Sequence, residues 1–168
     1  MGSSETIPTV GEMEAPPLER KLAAILAADV AGYSRIMGID VEGTLATLSA
    51  FRSITDALIA QHTGRICGTA GDSVLAEFSS AIAAVQCAVE IQRELARANE
   101  ALPEDRRMFL RIGVNVGDVM VKDGDIFGDG VNIAARIEGM ANAPQTHVWQ
   151  AQIVLLSART PSSATPAG

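Results

Sequence analysis

Asp29 and Asp72 lie 43 positions apart, each where an apolar stretch gives way to a turn. Asp29 closes the run Leu22–Ala28 in LAAILAADVAGYSR, and Asp72 sits in the turn of RICGTAGDSVLAEF. Downstream, DIFGDGVNIAAR at residues 125–136 packs Asp, Asn and Arg into one strand-to-helix corner. Two carboxylates able to share a pair of divalent cations, with an arginine able to neutralise developing negative charge, are what phosphoryl or nucleotidyl transfer requires.

Taken singly, each group has a second reading. A carboxylate ending a buried strand either serves a site or caps the following turn. Gly32 follows Asp29 by three residues, so backbone can approach a ligand there, and the N–H groups of Gly32, Tyr33, Ser34 and Arg35 could meet phosphates. Asp72 by itself is an ordinary turn residue. In a β-α-β-β order, however, the first strand lies beside the hairpin carrying Asp72, which puts both carboxylates at one sheet edge. Asn132 and Arg136 are four apart, hence on one helix face. Arg136 stands among Ala and Ile in VNIAARIEGM and needs either a phosphate or a carboxylate such as Glu138. Glu77 reads as a strand residue paired with a neighbouring base. DGDIFGDG fails as a calcium loop: counted from Asp123, position 5 is Phe127 and position 12 is Ala134. His62 and His147 have no ligand spacing and read as solvated. No nucleophilic triad can be assembled, and there is no Walker A motif.

The elements that must position these groups follow from pattern. Residues 1–19 are rich in Pro, Ser, Thr and Glu without a period and read as a disordered leader. Lys21 to about Ala31 suits a buried central strand. After the turn at Gly32–Ser34, helical spacing of Leu45, Leu48, Phe51, Thr55, Leu58 and Ile59 predicts a helix to about His62, in two pieces. Arg65–Thr69 and Ser73–Phe78 form a hairpin, with Gly71 supplying the positive φ. Ser79 or Ser80 caps a helix whose apolar face is Ala81, Ala84, Val85, Ala88, Ile91 and Leu95. Phe109–Val116 alternates as a strand with one wetter face, and Val119–Lys122 continues it or pairs back. Val131–Met140 is a short helix. The order is ferredoxin-like, βαββαβ: an α+β domain with an antiparallel sheet and helices on one face. Residues 144–168 change composition and read as an atypical, disordered tail, leaving 20–143 as the domain.

A net charge of −7 argues against nucleic acid as the main partner. Cys67 and Cys87 read as buried thiols in a reducing compartment. No stretch reaches the ~18 apolar residues of a membrane span, and the N-terminus lacks the features of a secretory signal. The expected location is cytoplasmic.

Together, LAADVAGYSR, GTAGDSVLAEF, RIGVNVGDV and DIFGDGVNIAARIE resemble the catalytic domain of class III adenylate/guanylate cyclases, in the family's order, over about residues 20–141. The resemblance implies a ferredoxin-like core working as a head-to-tail dimer, in intracellular signal transduction. It implies that Asp29 and Asp72, with the Val30 carbonyl, hold two Mg²⁺ or Mn²⁺ ions. Asp125 then contacts the purine of ATP, Asn132 orients the ribose, and Arg136 stabilises charge on the α-phosphate. These last three come from the opposite subunit, in a homodimer or from another cyclase chain. Gly68 stands where many members carry an adenine-selecting Lys, so base selection rests on Asp125 and the backbone. The family's later strands and phosphate-binding Lys have no evident match in residues 142–168. That leads to the expectation of an incomplete, weakened domain, with a non-catalytic dimerisation or regulatory module as the alternative. A plain ferredoxin-like interaction module is the remaining reading.

Overall fold

The apolar run after Lys21 forms the central strand of a five-stranded antiparallel sheet in a computed structural model that describes residues 19–140. In chain order the elements are β1 (Glu19–Val30), α1 (Tyr33–Met37), α2 (Val41–Gln61), β2 (Arg65–Ala70), β3 (Ser73–Phe78), α3 (Ala81–Glu100), a single 3₁₀ turn (Glu104–Arg106), β4 (Leu110–Lys122), β5 (Asp125–Phe127) and α4 (Asp129–Met140). The strand order is β2-β3-β1-β4-β5. This is the predicted ferredoxin-like arrangement with one short strand added. The alternative for Val119–Lys122 resolves as continuation: β4 runs through it, and β5 pairs back on Met120–Lys122.

β1 is buried because both its faces are covered. Ala24, Leu26, Ala28 and Val30 pack toward α2 and α3, against Phe51, Ile59, Ala84 and Ile91. Ala23, Ile25 and Ala27 pack on the other face with Cys67, Val119, Ile126 and Ala134. Helices therefore lie on both faces, not one: α4 crosses back over the side opposite α2 and α3. This also corrects the wetter face expected of β4. Asn115 is only 3% exposed, and its Nδ2 donates to the Gly130 carbonyl at 3.0 Å. A polar strand residue is thus buried with its hydrogen bond made, as burial requires.

Two helices start at side-chain caps, of which only the serine was expected. Asp40 accepts from the Gly43 amide at 2.9 Å, and Ser80 rather than Ser79 caps α3 through Ala83. The buried stripe of α2 differs at its start: Thr44 and Thr47 face inward and Leu45 is exposed. The Thr44 hydroxyl reaches the Ile36 carbonyl at 3.3 Å, and the Thr47 hydroxyl the Gly43 carbonyl at 2.9 Å. Threonine can bury its methyl and satisfy its hydroxyl within the helix, so an apolar-only pattern misses it. Asn99 performs a similar service at the end of α3, clamping both backbone groups of Met108 at 2.7 and 3.1 Å and fixing the entry to β4.

Glycine makes the α4 crossing possible. A Cβ at Gly113 would lie 2.5 Å from both the Ala134 carbonyl and the Glu138 amide, and one at Gly117 would lie 3.2 Å from Gly130. The helix backbone thus rests directly on the β4 backbone. Gly113→Ala is expected to lower stability by about 1–3 kcal/mol through overpacking, read as a lower urea midpoint with an unchanged m-value.

Candidate active site

Antiparallel pairing delivers Asp29 and Asp72 to one sheet edge. Ala28 is opposite Val74 in β3, and the hairpin turn before β3 returns Asp72 so that its Oδ2 accepts from the Val30 amide at 2.9 Å. Gly71 takes φ 57°, as the turn requires. Just beyond, Gly32 takes φ 68° and starts the short helix α1. Tyr33 is half-buried against the core and Ser34 is exposed. The Arg35 amide closes onto the Gly32 carbonyl at 3.0 Å, which removes it from the expected anion-facing set and leaves Gly32, Tyr33 and Ser34.

Asp29 is held by a residue that sequence reasoning missed. Arg111 stands opposite it in the β1–β4 register and grips it bidentately, Nε to Oδ1 at 2.8 Å and an NH group to Oδ2 at 2.5 Å. Glu138 of α4 approaches the same guanidinium at 3.1 Å, but the Nε proton is committed to Asp29. One buried Glu138 oxygen is left without a hydrogen bond. Burial, a hydrogen bond with Asp29 and the negative charge of Asp29 push the Glu138 carboxyl up to about 7, against the pull of Arg111. The hydrogen bond to Asp29, opposed by burial and aided by the carboxylate charges around it, raises Arg111 further. Glu138 therefore pairs with Arg111 and not with Arg136. Residues two apart on a helix point in widely different directions.

Arg136 and Asn132 are exposed on α4, while Ala134 between them is buried against the sheet. Among the described residues, no carboxylate lies within ion-pair distance of Arg136. It borders an open groove of about 610 Å³ with Arg20, Gly117, Gly130 and Ile133. Asp125 is exposed at the start of β5, opposite Lys122. Arg111 and Lys122 are eleven positions apart on β4, roughly 35 Å of strand at about 3.3 Å per residue. One chain therefore unites Asp29 and Asp72 but sets Asp125 at the far end and turns Asn132 and Arg136 outward.

Among the described residues, no three His, Cys, Asp or Glu side chains are arranged to hold a metal ion by themselves. The donor chemistry nonetheless fits a hard divalent cation. Asp29 and Glu138 meet the Arg111 guanidinium, Asp72 is bonded to the Val30 amide next to Asp29, and one buried Glu138 oxygen has no hydrogen bond. Magnesium is commonly bound by one or two carboxylates completed by substrate phosphates, not by an all-protein cage.

Other candidates resolve plainly. Glu77 pairs with Lys21 at 3.0 Å and Arg65 at 2.8 Å, as expected. Burial opposes its ionisation, but the hydrogen bonds from Arg65 and Lys21 outweigh this and hold its carboxyl below the usual value. His62 is not solvated: its Nε2 meets Glu90 at 2.7 Å, because α2 and α3 pack side by side. His147 lies outside the described residues, as do the leader through residue 18 and the tail. Cys67 and Cys87 are free and buried. Burial, then the charge of Glu90, pushes Cys87 to about 12, so it behaves as a small apolar side chain. No helix among the described residues is long and apolar enough to cross a membrane.

A split βαβ sheet with two acids at one end and an outward Asn/Arg helix defines the architecture, and comparison identifies the family. The family model for the adenylate and guanylate cyclase catalytic domain matches residues 18–166, and the chain belongs to this family. That match runs further than the motifs alone, which end near residue 141. The chain is 52% identical over 126 residues to "Putative adenylate cyclase 3" of Rhizobium meliloti (strain 1021), covering 74% of this chain and 22% of that protein. It is 34% identical over 125 residues to an adenylate cyclase of Streptomyces coelicolor, covering 74% of this chain and 31% of that one. The crystal structure of an adenylate/guanylate cyclase/hydrolase from Silicibacter pomeroyi superposes with a TM-score of 0.70 at 46% identity, over 75% of this chain and 74% of that one. The chain thus spans less than a third of the length of these two curated relatives.

The Glu138 shift has a signed consequence. Its folded value lies above the ordinary carboxyl value of 4.5, so the folded state holds the proton more tightly. Its contribution is fully present below about 4.5 and is lost as pH rises toward 7. Glu138→Gln is expected to flatten the decline in melting temperature between pH 5 and pH 8. An unchanged pH slope would show that Glu138 is not the group responsible.

Proposed function

We propose that this domain forms 3′,5′-cyclic AMP and pyrophosphate from ATP at a site shared between two chains. The observation that carries this is the separation just described: the acids at one end of the sheet, Asp125 at the other, and Asn132 with Arg136 facing outward on α4. A head-to-tail partner supplies the missing half to each edge, and symmetry then produces two equivalent sites. A second copy is the partner, or another cyclase chain presenting the same helix.

Asp29, Asp72 and the Val30 carbonyl would hold two Mg²⁺ or Mn²⁺ ions, which supply acidification of the ribose 3′-hydroxyl and charge neutralisation along the triphosphate. Gly32, Tyr33 and Ser34 line the turn that receives phosphate oxygens. In the reaction the 3′-oxygen, losing its proton, bonds to the α-phosphorus. The bond from that phosphorus to the bridging oxygen breaks, and pyrophosphate leaves. From the partner, Asn132 orients the ribose and Arg136 meets the charge that builds on the α-phosphate oxygens, where a preplaced cation lowers the barrier most. Asp125 meets the purine.

A second reading has its own observation. Arg111 already occupies both oxygens of Asp29, as a resident cation would in a silent cyclase-like regulatory module. A cyclic nucleotide assay with Mn²⁺ separates the two.

Asp29→Asn or Arg136→Ala is expected to reduce metal-dependent turnover at least ~100-fold. Mixing the two inactive variants in equal amounts should restore about a quarter of wild-type activity, since half the dimers carry one intact site. No recovery on mixing would rule out the shared site.

A further inference from the structure

β2 and β5 sit at opposite ends of the strand order, yet they touch. The sheet curls so that the β4–β5 hairpin comes back toward β2, and Val119 and Ile126 of the hairpin share one apolar cluster with Cys67 of β2. One side chain spans the junction. Arg65 of β2 donates from Nε to Glu77 at 2.8 Å, and from an NH group to the carbonyl of Gly124. Gly124 immediately precedes Asp125. It is half of a two-residue Asp-Gly turn in which Asp123 takes φ 52° and Gly124 takes φ 88°, the primed geometry of tight hairpins.

The other end of this connection is rigid. Glu77 is 8% exposed, and one oxygen takes both Arg65 and Lys21 at 2.8 and 3.0 Å. Its second oxygen is buried without a partner. A buried carboxylate held this way aims a guanidinium in a fixed direction, and a planar fork presents its donors at set angles where the donors of an ammonium rotate freely. The negative charge of Asp125 also acts on Arg65. Three positions along the same strand, Gly68 carries no side chain, and a Cβ there would have only Leu75 nearby, at 3.9 Å. Across the described part of β2, Arg65 is the one cationic side chain.

We propose that Arg65 is a specificity-determining positioning residue: by tying Gly124 to the Glu77-anchored end of β2, it fixes where Asp125 presents its carboxylate to the purine. This rests on the cyclase reading and deepens it. An ionised carboxylate accepts from the amino group of adenine and repels the carbonyl oxygen of guanine, so its fixed placement is what discriminates the bases. With no side chain at Gly68, the side-chain part of the discrimination rests on this placement, beside whatever the backbone contributes. Sites that hydrogen-bond one base edge reject the mismatched edge strongly only when their groups cannot move away.

The test compares wild type, Arg65→Ala, Arg65→Lys, Asp125→Ala and Arg65→Ala/Asp125→Ala, each checked for thermal unfolding. Initial rates are measured with Mn²⁺ and either ATP or GTP, alongside displacement of a fluorescent ATP analogue. Arg65→Ala is expected to raise KM for ATP and the displacement constant about tenfold, to leave kcat within about twofold, and to lower the ATP-over-GTP preference to that of Asp125→Ala. The double variant should be no worse than Asp125→Ala, since the two act as one unit. Arg65→Lys should fall between, because it keeps the charge and loses the fork. Additive losses, an unchanged base preference, or a fall in kcat at constant KM would overturn the assignment. If Arg65→Ala does not fold, the Arg65→Lys preference decides, and a wild-type value overturns it. Wild-type protein that neither binds the analogue nor turns over ATP would instead overturn the cyclase reading itself.

Discussion

The site depends on one close approach. Helix α4 lies on β4 with backbone against backbone, and it can do so only because Gly113 and Gly117 present no side chain. Everything that gives the outer face its chemistry follows from that depth. Glu138 comes within reach of Arg111, Asn115 finds the Gly130 carbonyl, and Ala134 is sealed against the sheet. The opposite side of the helix, with Asn132 and Arg136, is left outward. A helix held even a methyl group further away would loosen the acid–guanidinium cluster and reposition the arginine together, since a packed interior transmits such a displacement instead of absorbing it.

The same contact explains the electrostatic character of the sheet edge. Asp29 alone would be well served by Arg111. The arrival of Glu138 adds a carboxyl group that neither partner can accommodate fully, so its proton is retained near neutrality and one oxygen goes unbonded. Asp72 adds another acid and spends one oxygen on the Val30 amide. The edge is built with more negative charge than the chain itself balances. That is the condition under which a divalent cation bound with its anionic substrate is drawn in.

Much of this was legible before any coordinates, and the boundary is physical. Element order, the Gly71 hairpin, the serine cap and the meeting of Asp29 with Asp72 follow from local pattern and from the short reach of hairpins. The assignment of Asp125, Asn132 and Arg136 came from likeness to a family, and no local pattern in the chain would have supplied it. Arg111 escaped notice because it is defined by register across 82 residues of sequence separation. Nothing local to RIGVNVGDV says which β1 residue it will face. Of the partners open to Arg136, Glu138 is taken by Arg111 of another element, which the helix sequence alone does not show. The second helical layer was missed because alternation alone cannot tell a strand face wetted by water from one wetted by a helix backbone. His62 found Glu90 for the same reason: lateral helix packing is not written in either helix.

The division of the polar groups among the Asp29–Asp72 end, the Asp125 end and the outward face of α4 reaches beyond chemistry. Under the shared-site reading, no single copy owns a working centre, so the quantity that sets output is the relative orientation of two rigid bodies. A twist between copies of a few degrees, applied from anywhere along the chain, would part Arg136 from the phosphate it serves without disturbing a single bond inside either one. On that reading such a domain would transduce torque, because its on state would be a pose rather than a conformation.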